Sequence, residues 1–246
     1  MTKAKKVFRV TAIILAALVL LTAIFSVLLY RNGNLIFAHR LKDPKDSQIR
    51  VACVGDSITY GSGIKGWPNG TYPDILGNML GDSYIVNNYG YSGRTALHNA
   101  DKPYINENLY QQSLDFNPDI VIIMLGTNDT KPYNWKGKEA FIDDYKKIIE
   151  SYAQLDSEPE IYVIMPPPCT VIEGATEVKF DINGELINTD VCDAVKEIAE
   201  ELNINLIDAN TQFQGKENLF SDGVHPNNNG AKIFAEIVYD RIIKNG

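Results

Sequence analysis

Residues 119–129 read Asp-Ile-Val-Ile-Ile-Met-Leu-Gly-Thr-Asn-Asp. The first seven show no polar/apolar alternation, as expected of a strand covered on both faces, and such strands belong to parallel sheets. The glycine that follows ends the strand in a turn, and Thr127, Asn128 and Asp129 crowd polar groups at its end. Working outward, the same unit recurs. Residues 49–54 (IRVACV), 84–88, 160–165 and 204–207 read as strands. Residues 72–80, 139–155, 189–202 and 229–243 carry helical periodicity, with Pro73 tolerated in a first turn and Asn188 or Thr189 as a cap. Strand alternating with helix specifies βαβ units and an α/β fold with a parallel sheet covered on both faces. Functional groups in such folds collect where loops leave the carboxyl ends of the strands. The irregular stretch 166–187, opening on three prolines and containing Asn183-Gly184, reads as a surface insertion with room for a small hairpin.

Composition bounds the function. The 246 residues, 45% hydrophobic and 22% charged, are those of a globular protein and not of a disordered or fibrous one. Seven of the 23 basic residues and none of the 31 acidic ones lie in residues 1–42, so the rest carries 16 against 31, a net of −15. A body this acidic excludes nucleic acid as an expected partner, since that binding rests on neutralising phosphates. The three cysteines fit no metal spacing. Cys53 reads as a buried small hydrophobe; Cys169 and Cys192 could pair, although an odd count argues against a disulfide framework.

Residues 10–30 (VTAIILAALVLLTAIFSVLLY) contain no charge and would span about 32 Å as a helix, enough for a bilayer core. Lys3, Lys5, Lys6 and Arg9 precede them, which retains the N-terminus in the cytoplasm and exports residues 31–246. The run exceeds a signal-peptide apolar region and no small-x-small site succeeds it, favouring a single-pass anchor over a secreted, cleaved form. The expected organisation is a basic tail at 1–9, a transmembrane segment at 10–30, a linker at 31–47 and an exported domain at 48–246.

Four clusters carry chemistry. Gly55-Asp56-Ser57 directly follows the first strand and can present a serine on a tight turn, as a nucleophile requires. Asn88 to Thr95, containing Gly90 and Gly93, follows the second; a glycine there offers an unobstructed backbone N–H. Gly126-Thr127-Asn128-Asp129 follows the third, where an asparagine amide can donate to a developing oxyanion. Asp222-Gly223-Val224-His225-Pro226 precedes the last helix, and its spacing lets Asp222 fold back on the His225 imidazole. Each alone is equally explained by turn and cap chemistry. Of the other histidines, His39 borders the apolar run, and His98, in an expected helix, reads as structural.

In this order the clusters resemble the four blocks of the SGNH/GDSL hydrolase superfamily, over residues 49–246. The resemblance implies a three-layer α/β/α sandwich with a five-stranded, flavodoxin-like parallel sheet. It implies Ser57 as nucleophile, His225 as general base and acid, and Asp222 as its orienting group. The N–H groups of Ser57 and Gly93 and the amide of Asn128 would form the oxyanion hole, with no metal or cofactor. Gly93 is preferred to Gly90 because Ser92-Gly93-Arg94-Thr95 matches the family's Ser-Gly-x-Thr context. The chain looks most like the carbohydrate-esterase branch, similar to sialate O-acetylesterases and acetylxylan esterases, so the expected partner is a small-molecule or glycan acyl ester. Trp67, Tyr91, Tyr133 and Trp135 flank the blocks as candidate sugar-stacking rings. Open alternatives are a glycan O-acyltransferase, told apart by products formed with an acceptor; a lysophospholipase or arylesterase, told apart by acyl-chain preference; and a tethered, non-catalytic binding module, which would have no use for the complete set.

Overall fold

The computed structural model describes residues 18, 20–22 and 41–245. Residues 18 and 20–22 are helical; the rest of the apolar segment expected at 10–30, and residues 31–40 of the expected linker, lie outside the described residues. No helix among the described residues is long and apolar enough to cross a membrane. Residues 41–47, within the stretch read as linker, lie against the domain: Leu41 packs on its core, and Lys42 exchanges two backbone hydrogen bonds with the Asn87 side chain at 2.9 and 3.0 Å.

Five strands, β1 (Ile49–Gly55), β2 (Tyr84–Gly90), β3 (Ile120–Met124), β4 (Glu160–Met165) and β5 (Asn205–Asp208), form one parallel sheet in the order β2-β1-β3-β4-β5. The longer helices are α2 (Tyr72–Leu80), α3 (Asn108–Asp115), α4 (Lys138–Ala153), α5 (Cys192–Leu202) and α7 (Asn228–Asn245). Two short ones, α1 (Ser57–Tyr60) and α6 (Ala209–Phe213), follow β1 and β5.

Strand pleating sorts the apolar runs into two cores. Ala52, Val54, Val121, Ile123, Ile161 and Val163 face α4 and α5, where Phe141, Tyr145, Ile149, Val195 and Ile198 cover them. The intervening Val51, Cys53, Ile122, Met124, Tyr162 and Ile164 face α2 and α7, against Leu76, Phe234 and Val238. Both faces of the runs are thus apolar because both are buried, and the three-layer sandwich follows. A bidentate pair of Arg50 on Asp119, at 3.0 and 2.7 Å, joins the starts of β1 and β3.

The expected strands and helices are present, most with ends within two residues. Two features are corrected. The helix expected from Thr189 begins earlier: Asn183 caps a turn at Gly184–Leu186, accepting from the N–H groups of Glu185 and Leu186, and a π turn at Ile187–Val191 leads into α5. Asn183-Gly184 is therefore a helix start and not a hairpin; a Cβ on Gly184 would stand 2.4 Å from the Cys169 carbonyl oxygen. His98 lies in a loop and not in a helix, because carboxylates from other elements capture the N–H groups that a helix would use. Helix α3, whose sequence is largely polar, was not legible. Cys53, Cys169 and Cys192 are all buried and free, so the possible pairing of the last two is not formed.

Candidate active site

The chain leaves β1 for β2 on one side and returns to β3 on the other. Loops at the carboxyl ends of β1 and β3 therefore diverge and open a crevice. Ser57 enters it from β1. Asp56 caps α1, accepting the Ile58 N–H at 2.9 Å, and Ser57 begins the helix. The tight turn requires Gly55: a Cβ there would lie 2.4 Å from the Met124 carbonyl oxygen.

His225 comes from the far end of the chain. Its Nε2 lies 2.9 Å from Ser57 Oγ, and its Nδ1 lies 2.8 Å from Asp222 Oδ2. The other carboxylate oxygen, Oδ1, accepts the backbone N–H groups of Val224 at 3.0 Å and His225 at 2.8 Å. Asp222 thus builds the turn and orients the imidazole together. Burial alone would raise its pKa, but hydrogen bonds from the His225 ring and backbone outweigh that and hold it below the ordinary carboxylate range. The three residues form a continuous relay of the kind that activates a hydroxyl.

Gly93 and Asn128 stand on the same cleft. Gly93 has φ +83°, and neither its N–H nor that of Ser57 has a hydrogen-bond partner among the described residues. The Asn128 Nδ2 donates to the Arg94 carbonyl at 3.1 Å and to Asp56 Oδ2 at 3.3 Å. Its position is thereby set by the nucleophile turn and the Gly93 loop together.

Two carboxylates support these loops, and sequence reasoning quoted both without giving them a role. Asp129 is fully buried and accepts the N–H groups of Ala96 and Leu97. Burial raises its pKa to about 7 despite those donors, and burial likewise raises that of Asp56 to about 6. Asn134, also fully buried, donates to the Asn128 carbonyl at 3.0 Å and to Asp101 at 2.8 Å.

The cleft measures about 400 Å³. Ser62, Ser92, Thr127, Asn128 and Lys131 bring polar groups to its lining; Phe180, Ile182 and Val224 are its apolar residues. The insertion 166–187 is therefore a wall of the site. The four rings expected to meet substrate do not line this cleft. Trp67 stacks on Tyr60 at 5.0 Å, Tyr91 lies under the Arg94 guanidinium at 3.3 Å, and Trp135 packs on Phe141 at 6.0 Å. Tyr133 is 53% exposed outside it. Each follows a chemistry-bearing block in sequence, but Trp67, Tyr91 and Trp135 meet neighbouring side chains and Tyr133 faces outward. Among the described residues, no cluster of three or more His, Cys, Asp or Glu side chains could hold a metal ion.

A serine–histidine–aspartate relay at the carboxyl edge of a parallel α/β sheet is the arrangement of a hydrolase-type protein. Residues 53–233 match the GDSL-like lipase/acylhydrolase family, and the chain belongs to it. An acetylxylan esterase of Xylanibacter ruminicola is 35% identical over 213 residues, covering 79% of this chain and 43% of that protein; the chain spans less than half the length of this relative. A carbohydrate acetylesterase from Sinorhizobium meliloti has a similar structure, with TM-score 0.65 and 21% identity over 81% of this chain and 100% of the other. A structure of a putative arylesterase from Agrobacterium tumefaciens is similar at TM-score 0.63 and 23% identity, over 80% and 99%. At these identities the two structures speak for the fold.

Proposed function

We propose that the chain is a serine esterase that removes O-acetyl groups from carbohydrate outside the cytoplasm. The observation that carries the reading is the unbroken hydrogen-bond relay from Ser57 through His225 to Asp222. In this mechanism Ser57 Oγ attacks the ester carbonyl as its proton passes to His225 Nε2. The tetrahedral oxyanion receives the N–H groups of Ser57 and Gly93, and the Asn128 amide turns towards it the proton otherwise donated to Asp56 Oδ2 at 3.3 Å. The carbon–oxygen bond to the alcohol breaks, Nε2 returns its proton to the leaving oxygen, and an acyl-serine remains. Water then gives a proton to Nε2 and attacks the acyl carbon; the bond from that carbon to Ser57 Oγ breaks, Nε2 returns the proton to Oγ, and acetate leaves. Asp222 stabilises the imidazolium at each transfer.

Carbohydrate is favoured by the acetylxylan esterase relative and by a cleft of about 400 Å³ lined by both polar and apolar residues. In this reading residues 10–30 tether the domain at the outer face of the cell membrane; their uncharged length and the four basic residues before them support it.

The test uses the full chain in detergent beside Ser57→Ala. Hydrolysis of p-nitrophenyl acetate, butyrate and octanoate is followed together with acetate release from acetylated xylan. The expected result is turnover that peaks at acetyl, releases acetate from xylan and disappears in Ser57→Ala. A peak at octanoate would replace the reading with a lipid esterase; equal rates for both proteins would end it.

A further inference from the structure

Phe180 is an apolar ring left 52% exposed at the cleft that holds Ser57 and His225. Its backbone is left-handed, at φ +65° and ψ +25°, and Asp181 follows at φ +60°. A bulky side chain disfavours that region, and two such residues in succession persist only where their surroundings hold them. The surroundings are visible. A small separate core of Cys169, Ile182, Ile187 and Val224 anchors the insertion, and the Phe180 ring meets the His225 imidazole edge-on at 5.2 Å. The fold thus spends backbone strain to keep an exposed aromatic ring beside the base.

The chemistry of the relay says which half of the substrate passes there. His225 must deliver its proton to the leaving oxygen, so the alcohol half of the ester lies next to Nε2. The acyl oxygen lies towards the N–H groups of Ser57 and Gly93. A ring packed on the imidazole and open to the cleft therefore borders the alcohol.

We propose that Phe180 is the specificity residue for the alcohol half of the ester, taking the apolar face of a six-membered ring alcohol, a pyranose, as its oxygen leaves. This deepens the esterase reading and rests on it. Phe180 does not act on the reacting atoms and leaves the choice of acyl group unaltered.

The experiment compares wild type with Phe180→Ala, Phe180→Leu and Phe180→Tyr on acetates that differ only in the alcohol: ethyl acetate, cyclohexyl acetate and per-O-acetylated methyl xyloside. Ethyl butyrate reports acyl choice. The expected result is a rise of about tenfold in KM for the two ring alcohols in Phe180→Ala, a smaller rise in Phe180→Leu and none in Phe180→Tyr. Ethyl acetate kcat/KM and the acetate-to-butyrate ratio should stay within about twofold, because neither ester presents a ring to Phe180; the tenfold expected for ring alcohols corresponds to about 1.4 kcal/mol, the upper range for contact with one ring. An equal fall on every ester would make Phe180 a support for His225 and overturn the inference. So would a changed butyrate ratio without a change in ring preference. Should wild type cleave cyclohexyl acetate but no acetylated sugar, the carbohydrate reading fails while the Phe180 variants still decide this one. A wild type inert on every ester ends both.

Discussion

Asp129 accepts the backbone N–H of Leu97 at 2.7 Å, so the loop that follows β3 holds the loop that follows β2. The same carboxylate takes Ala96 at 3.1 Å. Gly93 and Asn128 thereby stand on one scaffold, and neither loop can shift without the other. Replacing Asp129 by alanine leaves two buried donors unpaired. The expected destabilisation is about 2–4 kcal/mol, read as a lowered urea midpoint at unchanged m-value. Activity should fall with it, while Asp129→Asn, which retains one acceptor, should lose less of both.

The two buried acids set a pH dependence of stability. Burial raises Asp129 to about 7 and Asp56 to about 6, above their unfolded values near 4. Between those limits the folded state holds more protons than the unfolded one. Their contribution to stability is therefore fully present below about pH 4 and declines as pH rises to about 7. Asp222, Asp119 and Asp144 are depressed, and their contribution is lost below pH 4. Chemical denaturation at intervals from pH 3 to 8 should show a maximum on the acidic side. Asp129→Asn should flatten the slope between pH 4 and 7; an unchanged slope would remove Asp129 as its source.

Asp222→Asn separates orientation from turn-building. An amide oxygen can still take the N–H groups of Val224 and His225, so the turn should survive. The imidazolium loses its counter-charge, and kcat should drop by about 10²–10⁴. Thermal unfolding should move by only a few degrees. A full loss of fold would mean that the carboxylate is needed chiefly for the turn.

Asn128→Ala should lower kcat by about 10²–10³, the usual cost of one oxyanion donor, with KM little changed. Because the amide also holds the Arg94 carbonyl and Asp56, a modest fall in melting temperature should accompany it. A fall in melting temperature without a kinetic effect would make Asn128 a brace between loops.

Gly90 and Gly93 should respond differently to alanine. A Cβ on Gly90 would meet the Tyr60 backbone nitrogen at 2.2 Å, so β2 and α1 must separate; a loss of about 3 kcal/mol or more is expected. At Gly93 the nearest atom is Lys102 Cδ at 3.6 Å, and only its positive φ resists, costing about 1 kcal/mol. Melting curves of the two variants order them directly.

The strands were legible because a strand buried on both faces must be apolar throughout, as residues 119–125 are, and because pleating is local. Ser57, Asp222 and His225 were legible because their short turns occur in the order of the blocks of a known superfamily, although each turn alone is equally explained by cap chemistry. The directions of the aromatic rings were not legible in this way. Trp67, Tyr91, Tyr133 and Trp135 are close to the blocks in sequence, whereas the direction of a loop side chain depends on what packs beneath it. Nothing local marks Phe180 either: its place beside His225 depends on the small core formed by Cys169, Ile182, Ile187 and Val224.

By itself the sequence determined the parallel α/β class and most of its elements, which are written in short-range pattern, while the family and the residues of the relay followed from the resemblance of four ordered blocks to a known superfamily. The tertiary structure alone decided that Ser57 and His225, 168 positions apart, meet at 2.9 Å. It alone decided that buried Asp129 ties two loops, and that the insertion at 166–187 walls the cleft. Those are contacts between distant segments, fixed by how the sheet and its two helical layers pack, and no local preference encodes them.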